Sequence, residues 1–380
     1  MDYNQCVWND LFVKISWSTF NPGQGSAEFY IIAEILQPQL SGEEQFNCIG
    51  RAIERLKEAT AFENAVWVWK RYFVSDVFNQ QTEFDSTSGV AVSVIQQPPL
   101  NRTKLALLIY AVENASLHLE ADGTIVMKRP HYTHLYNVQM YEKNGNSYEQ
   151  TQSVFEQYMR KLEKHHCTLE AHCLRTWLFV QNIDKQYSGM VQARKELFTL
   201  AGLTPQTHFI ASTGIEGQSI YPKTIVMLDA YAVQEIEQEQ IRYLHAASHL
   251  NPTHEYGVTF ERGTCIQWGD RRHILLSGTA SIDNKGKIVY PLQLEKQTER
   301  TMENIHVLLL EAEAGWPDVT HLIIYLRDIA DYENTRIYFE KNYPLIPHII
   351  LLAPVCRPGW LIEIECMAIK ALTDYRFKKF

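Results

Sequence analysis

The chain has 380 residues, 46% apolar and 21% charged, enough for a real core and two or three domains. A net charge of −9 argues against a nucleic-acid-binding surface. Seven cysteines (6, 48, 167, 173, 265, 356 and 366) include no CxxC pair; with no leader-like N-terminus and no apolar run near ~18 residues, a cytoplasmic protein with neither disulfide framework nor membrane partner is expected.

Taken in chain order, one pattern occurs three times. Ser41-Gly-Glu-Glu44 is a capping-box signature, and the helix it starts has the apolar stripe Ile49, Ile53 and Leu56. A β-rich run at 65–73 and an apolar strand at 105–112 (LALLIYAV) follow. The second copy has a turn at Asp122-Gly123, then a helix with the stripe Phe155, Tyr158, Met159 and Leu162. After it come a β-rich run at 172–180, a short helix with Arg194 and Phe198, and a strand at 226–233 (VMLDAYAV). The third copy opens with a hairpin, 273–277 and 287–290 around 283–286, and a helix with Met302, Ile305, Leu308 and Leu309. A run at 321–326, a short helix with Arg336 and Phe339, and a strand at 362–369 (IEIECMAI) complete it. The Glu- and Gln-rich stretch 234–250 reads as a helical linker, and the tail after Lys370 as exposed.

The unit is β-β-α-β-α-β, an α+β arrangement with helices on one face of a mixed sheet. The other face needs cover, and three units in one chain can cover each other as a trimer of separate chains does. The expected boundaries are 1–113, 114–234 and 258–380, with 235–257 as the linker.

The three apolar strands align without gaps, so they can be compared face by face. Glu363 corresponds to Met227 and Ala106, and Glu365 to Asp229 and Leu108. Only the third copy carries two carboxylates on one face, about 6.5–7 Å apart along the strand. A partly buried pair of this kind holds one proton and supplies a general acid, whereas a solvated pair is only surface. Cys356, next to Arg357, reads either as a thiol of depressed pKa or as a small buried residue. Ser212 and Thr213 sit in a Gly-rich loop, and Arg175 interrupts an apolar strand, where a buried cation needs an acid or a bound anion. The histidines at 131, 134, 165 and 166 lack the spacing of a metal site, so no metal is expected.

Several segments of the second half resemble the chorismatase family of the wider RidA/YjgF superfamily. They are 210–217 (IASTGIEG), 228–233 (LDAYAV), 256–264 (YGVTFERGT), 277–283 (SGTASID), 325–328 (YLRD), and Cys356-Arg-Pro followed by Glu363-Ile-Glu365. The resemblance covers about 205–369, extends weakly to Arg175-Thr-Trp177, and leaves the first third matched only by the repeat. It implies a pseudo-trimer of RidA/YjgF-like (chorismate-mutase-like) units around a central barrel, with a site in the cleft between copies two and three. It further implies loss of pyruvate from chorismate without a cofactor, giving 3-hydroxybenzoate or a dihydroxycyclohexadiene carboxylate, with Glu363 as general acid, Glu365 tuning it, and Cys356 steering the product and favouring 3-hydroxybenzoate. Arg175 and Arg327, with Arg262 and Arg357 behind them, are expected to clamp carboxylates, while Ser212, Thr213 and Tyr231 line the pocket. The implied partner is a small molecule, chorismate or a relative, bound by a monomer or an oligomer of pseudo-trimers. Imine deaminases of the superfamily carry an arginine where this chain reads Ile346-Pro-His-Ile349. That departure speaks against a deaminase, which together with a non-catalytic metabolite-binding protein makes up the rival readings.

Overall fold

Each of the three aligned segments becomes an inner strand of its own sheet in the computed structural model, which describes residues 1–23, 25–80 and 89–380. Leu105–Glu113, Val226–Gln234 and Ile362–Ala371 each pair antiparallel with the strand after the long helix: Ala65–Val74, Cys173–Val180 and Val319–Leu326. Each of these pairs in parallel with an outer strand, Ala91–Gln96, Ala211–Glu216 or His348–Leu352. An antiparallel hairpin completes the opposite side of each sheet.

The long helices form where their caps and stripes lie. The Ser41 backbone N–H donates to Glu44 Oε2 at 2.7 Å, and the Glu44 N–H donates to Ser41 Oγ at 3.2 Å. The helix they open, Gly42–Lys57, buries Ile49, Ala52, Ile53 and Leu56 at the 3.6-residue spacing of one face. Asn146 and Glu149 cap Ser147–Lys164 in the same way. The third long helix is Leu294–Glu311.

Helices cover one face of each sheet, and the inward faces meet around a pseudo-threefold axis. Three buried ion pairs cross the three interfaces: Arg71 to Asp229 at 2.9 Å, Arg175 to Glu365 at 3.0 Å, and Arg271 to Glu28 at 2.5 Å. Each joins an arginine of one unit to an acid of another, and breaking such a pair costs about 3–5 kcal/mol. Among the described residues, no helix is long and apolar enough to cross a membrane.

Three expectations are corrected. The stretch 234–250 is not a helical linker. After a short turn, Ile241–Leu244 adds an edge strand to the third sheet beside Gly263–Gln267, and that pairing overrides the helix propensity of its Glu and Gln. The third hairpin joins Gly263–Gln267 to Arg271–Leu276. The 287–290 segment contributes only an isolated bridge between Ile282 and Ile288, although the turn at Asp283 forms as expected. The end of the chain is not wholly exposed. Phe380 is 5% exposed, packed on His134, Trp268 and His273, because burying the ring takes apolar surface out of water while the neighbouring lysines stay in it.

Candidate functional site

The strand Ile362–Ala371 sorts its side chains by the two-residue alternation of a β-strand. Ile362, Ile364 and Cys366 lie on one side, while Glu363 and Glu365 lie on the other, 5% and 6% exposed. The two acids then meet opposite environments. Glu365 accepts hydrogen bonds from Arg175 Nη2 at 3.0 Å, Trp177 Nε1 at 2.8 Å and Tyr325 Oη at 2.7 Å. Burial alone raises its pKa, but Arg175, Arg71 and these donors together hold it below the ordinary carboxylate range.

No described residue donates a hydrogen bond to Glu363. Burial pushes its carboxyl up to about 8, with the Glu365 charge adding to the rise and Arg175 and Arg262 only partly opposing it. Glu363 Oε1 lies so close to Gly278 that a Cβ there stands 2.1 Å from it. The carboxyl is therefore protonated at neutral pH and seated against bare backbone.

Glu363 lines a hollow between units two and three, together with Tyr187, Arg194, Tyr256, Arg262, Cys356 and Arg357. Arg194 comes from the buried stripe of the helix Ile183–Leu200, beside Met190, Leu197 and Phe198. Its Nε reaches Thr259 Oγ1 at 3.3 Å and its Nη1 reaches Ser212 Oγ at 3.4 Å, while Nη2 is buried without a partner. Arg262 donates to Asn251 through Nη2 at 2.9 Å and leaves its Nε buried and unpaired. Arg357 stacks on Tyr256 and Trp360, with its guanidinium 4.5 and 4.9 Å from the ring centres. None of the three forms an ion pair with a described acid. With Glu363 neutral, the hollow presents three cations and no anion, a setting made for a ligand with more than one negative charge.

The other expected site residues are placed as follows. Ser212 and Thr213 line the hollow, and Thr213 Oγ1 accepts from both Arg175 Nη2 at 2.6 Å and the Gly278 backbone N–H at 3.0 Å. Arg175 is engaged with Glu365, so it holds that acid rather than standing free. Tyr231 lies instead in a central hollow on the pseudo-threefold axis, bonded to His134 at 2.8 Å. Arg71, Asp229, Arg175 and Glu365 also line that central hollow, but their charges cancel in pairs. Arg327 does not reach the hollow: it follows the end of its strand, donates to the Val355 carbonyl, and clasps Asp184 across the surface. Of the two readings of Cys356, the thiol of depressed pKa is contradicted, since burial and the nearby Glu363 push its thiol up to about 12 against Arg357 and Arg194. It is a neutral thiol beside Tyr187, able to donate a hydrogen bond and not primed as a nucleophile.

Two residues of the hollow carried signals that the sequence reading passed over. Arg194 stands at an apolar-stripe position of its helix, where a cation needs an explanation. Gly278 admits the Glu363 carboxyl only because it has no side chain. Among the described residues, no cluster of three or more His, Cys, Asp and Glu is placed to hold a metal.

Comparison with known proteins gives the relationship. A family described as Endoribonuclease L-PSP matches residues 266–370. A crystal structure of a chorismatase superposes on 80% of this chain and 92% of its own, with a TM-score of 0.63 and 16% identity, so the three-unit fold is chorismatase-like. A RutC family protein of Pyrococcus abyssi is 28% identical over 99 residues, 26% of this chain and 78% of the relative. Another, from Saccharolobus solfataricus, is 31% identical over 100 residues, 26% of this chain and 79% of the relative, and by that match the chain belongs to the RutC family.

Proposed function

We propose that this chain releases pyruvate from chorismate, with Glu363 as the general acid. The observation that carries the reading is a buried carboxyl, proton-bearing near pH 7 and free of protein donors, facing three arginines without acidic partners. Chorismate is a dicarboxylate with an enolpyruvyl ether, so it supplies both the missing negative charge and a carbon in need of a proton. Kinship of fold with a chorismatase supports the same reading.

Glu363 transfers its proton to the methylene carbon of the enol ether, which becomes a methyl group and leaves an oxocarbenium-like centre. Water adds to that centre and the hemiketal collapses to pyruvate and a dihydroxycyclohexadiene carboxylate. Alternatively the C4 hydroxyl of the ring attacks C3 as the C3–O ether bond breaks, pyruvate leaves and the hydroxyl proton returns to Glu363; the epoxide so formed opens at C4 and loses the C3 proton, which its oxygen takes up, giving 3-hydroxybenzoate. Cys356, as a neutral thiol at the edge of the hollow, steers between these outcomes. Arg194, Arg262 and Arg357 bind the carboxylates. Arg175 and Glu365 act as positioning residues: Glu365 keeps its negative charge and so keeps the proton on Glu363.

Membership of the RutC family favours a second reading, deamination of a reactive enamine or imine. It is weakened by His348 standing where such enzymes carry an arginine. Incubating the purified chain with chorismate and identifying products by mass separates the readings. Pyruvate with either ring product is expected. No pyruvate, with ammonia released from an amino-acid-derived imine instead, overturns the proposal, and binding without turnover points to a non-catalytic protein.

A further inference from the structure

The Glu363 hollow has a counterpart one step round the pseudo-threefold axis. There unit three supplies the helix Tyr332–Asn342 and the strand His348–Leu352, as unit two supplies Ile183–Leu200 and Ala211–Glu216 to the Glu363 hollow. Unit one supplies the inward side of Val13–Phe20 and Glu28–Ile35. The result is an open cleft of about 510 Å³.

The two strands of unit one divide sharply by face. Toward their helix they bury Val13, Ile15, Ala33 and Ile35. Toward unit three, the alternation presents Lys14, Ser16, Glu34 and Leu36 to the cleft. Further along the same inward face, Tyr30 and Ile32 are sealed into the central core. The charges thus appear where the contact between sheets opens.

Lys14 and Glu34 stand directly opposite each other in the strand register, where Cβ atoms are about 4.5–5.5 Å apart. They form no ion pair, and no described residue donates a hydrogen bond to the Glu34 carboxyl. Burial raises the Glu34 pKa against the pull of Lys14, and Glu340 adds to the rise. The remaining cation of the cleft, Arg336, is already committed to Glu333 and Glu340. An acid and a base held side by side without meeting are complementary to a molecule that carries both charges. Leu36, Leu345 and Ile346 give the cleft an apolar strip beside them.

We propose that this cleft is a second ligand site, for a small zwitterion of the α-amino-acid type. Its ammonium donates to Glu34, its carboxylate accepts from Lys14, and its side chain rests on Leu36 and Ile346. The proposal stands apart from the chorismate reading and draws on none of the same side chains.

The test is calorimetric titration of the full chain with L-leucine, alongside L-leucinamide, which lacks the carboxylate, and 4-methyl-2-oxopentanoate, which lacks the ammonium. Saturable binding of L-leucine is expected, with both analogues weaker. Lys14→Gln and Glu34→Gln should each weaken it roughly tenfold or more, while Glu363→Gln leaves it unchanged. No saturable binding up to roughly 10 mM, indifference to both cleft variants, or loss of binding in Glu363→Gln overturns the proposal.

Discussion

Units two and three carry the same device at matched positions and differ two residues away. Asp229 of unit two meets Arg71 of unit one at 2.9 Å, and Glu365 of unit three meets Arg175 of unit two at 3.0 Å. Two residues earlier, unit two has Met227, 1% exposed in the core, and unit three has Glu363, 5% exposed with no donor. The ion pair is therefore architecture, repeated from interface to interface, and the unpaired acid is what the third unit adds. A carboxyl taken from water without partners is costly, and it lowers that cost by keeping its proton. Such a group, where the sister unit has a methionine, is the feature on which the proposed chemistry rests.

Exchanging the two solutions tests this contrast most strongly. Glu363→Met copies unit two into unit three, and Glu363→Gln keeps the shape without the acid. Both should lose pyruvate release by about 10²–10⁴-fold, the range of general acid catalysis, in a steady-state assay on chorismate. Neither should lower the thermal midpoint above pH 8. In the fold Glu363 holds its proton up to about 8, so its contribution to stability is present below its ordinary range and lost as pH rises through that value.

The architectural half of the comparison predicts the opposite pattern. Asp229→Ala and Glu365→Ala each strand a buried arginine and should cost about 3–5 kcal/mol in denaturant unfolding. The milder Glu365→Gln removes the charge that helps raise the Glu363 pKa, so the alkaline limb of the rate profile should move to lower pH.

Smaller effects sharpen the account of the hollow. Gly278→Ala places a methyl group against the Glu363 carboxyl and should cost about 1–3 kcal/mol, with kcat falling more than KM rises because the acid is displaced. Arg194→Met swaps a buried, partly unpaired guanidinium for an apolar chain. Its stability should stay within about 1 kcal/mol of the parent or rise, while KM for chorismate increases. A large loss of stability in this variant, with KM unchanged, assigns Arg194 to the scaffold.

The sequence made the repeat legible because burial imposes strong periodicity on helices and inner strands. Ser41 with Glu44, and the stripe through Ile49, Ile53 and Leu56, form as read. The aligned strands likewise exposed Glu363, since the comparison holds backbone position fixed and varies only the side chain. Edge elements were less legible: Ile241–Leu244 is a strand because a neighbouring edge was there to pair with, a fact that no local pattern carries. Arginines were least legible, because their partners come from other units. Arg175 found Glu365, Arg327 found Asp184, and Arg194, read only as a marker of the repeat, proved to face the hollow. Cys356 shows the same limit, for a neighbouring Arg357 suggested a lowered pKa until burial and Glu363 entered the balance.

The account's central claim is that Glu363 delivers a proton it still holds near neutral pH. Its most direct test is the pH dependence of kcat/KM for pyruvate release from chorismate, measured for the full chain and for Glu363→Gln. Activity that is level around neutrality, declines through about pH 8 and is all but absent in the variant is the predicted result. Equal rates for the two proteins, or a decline already complete in the ordinary carboxylate range, contradicts it.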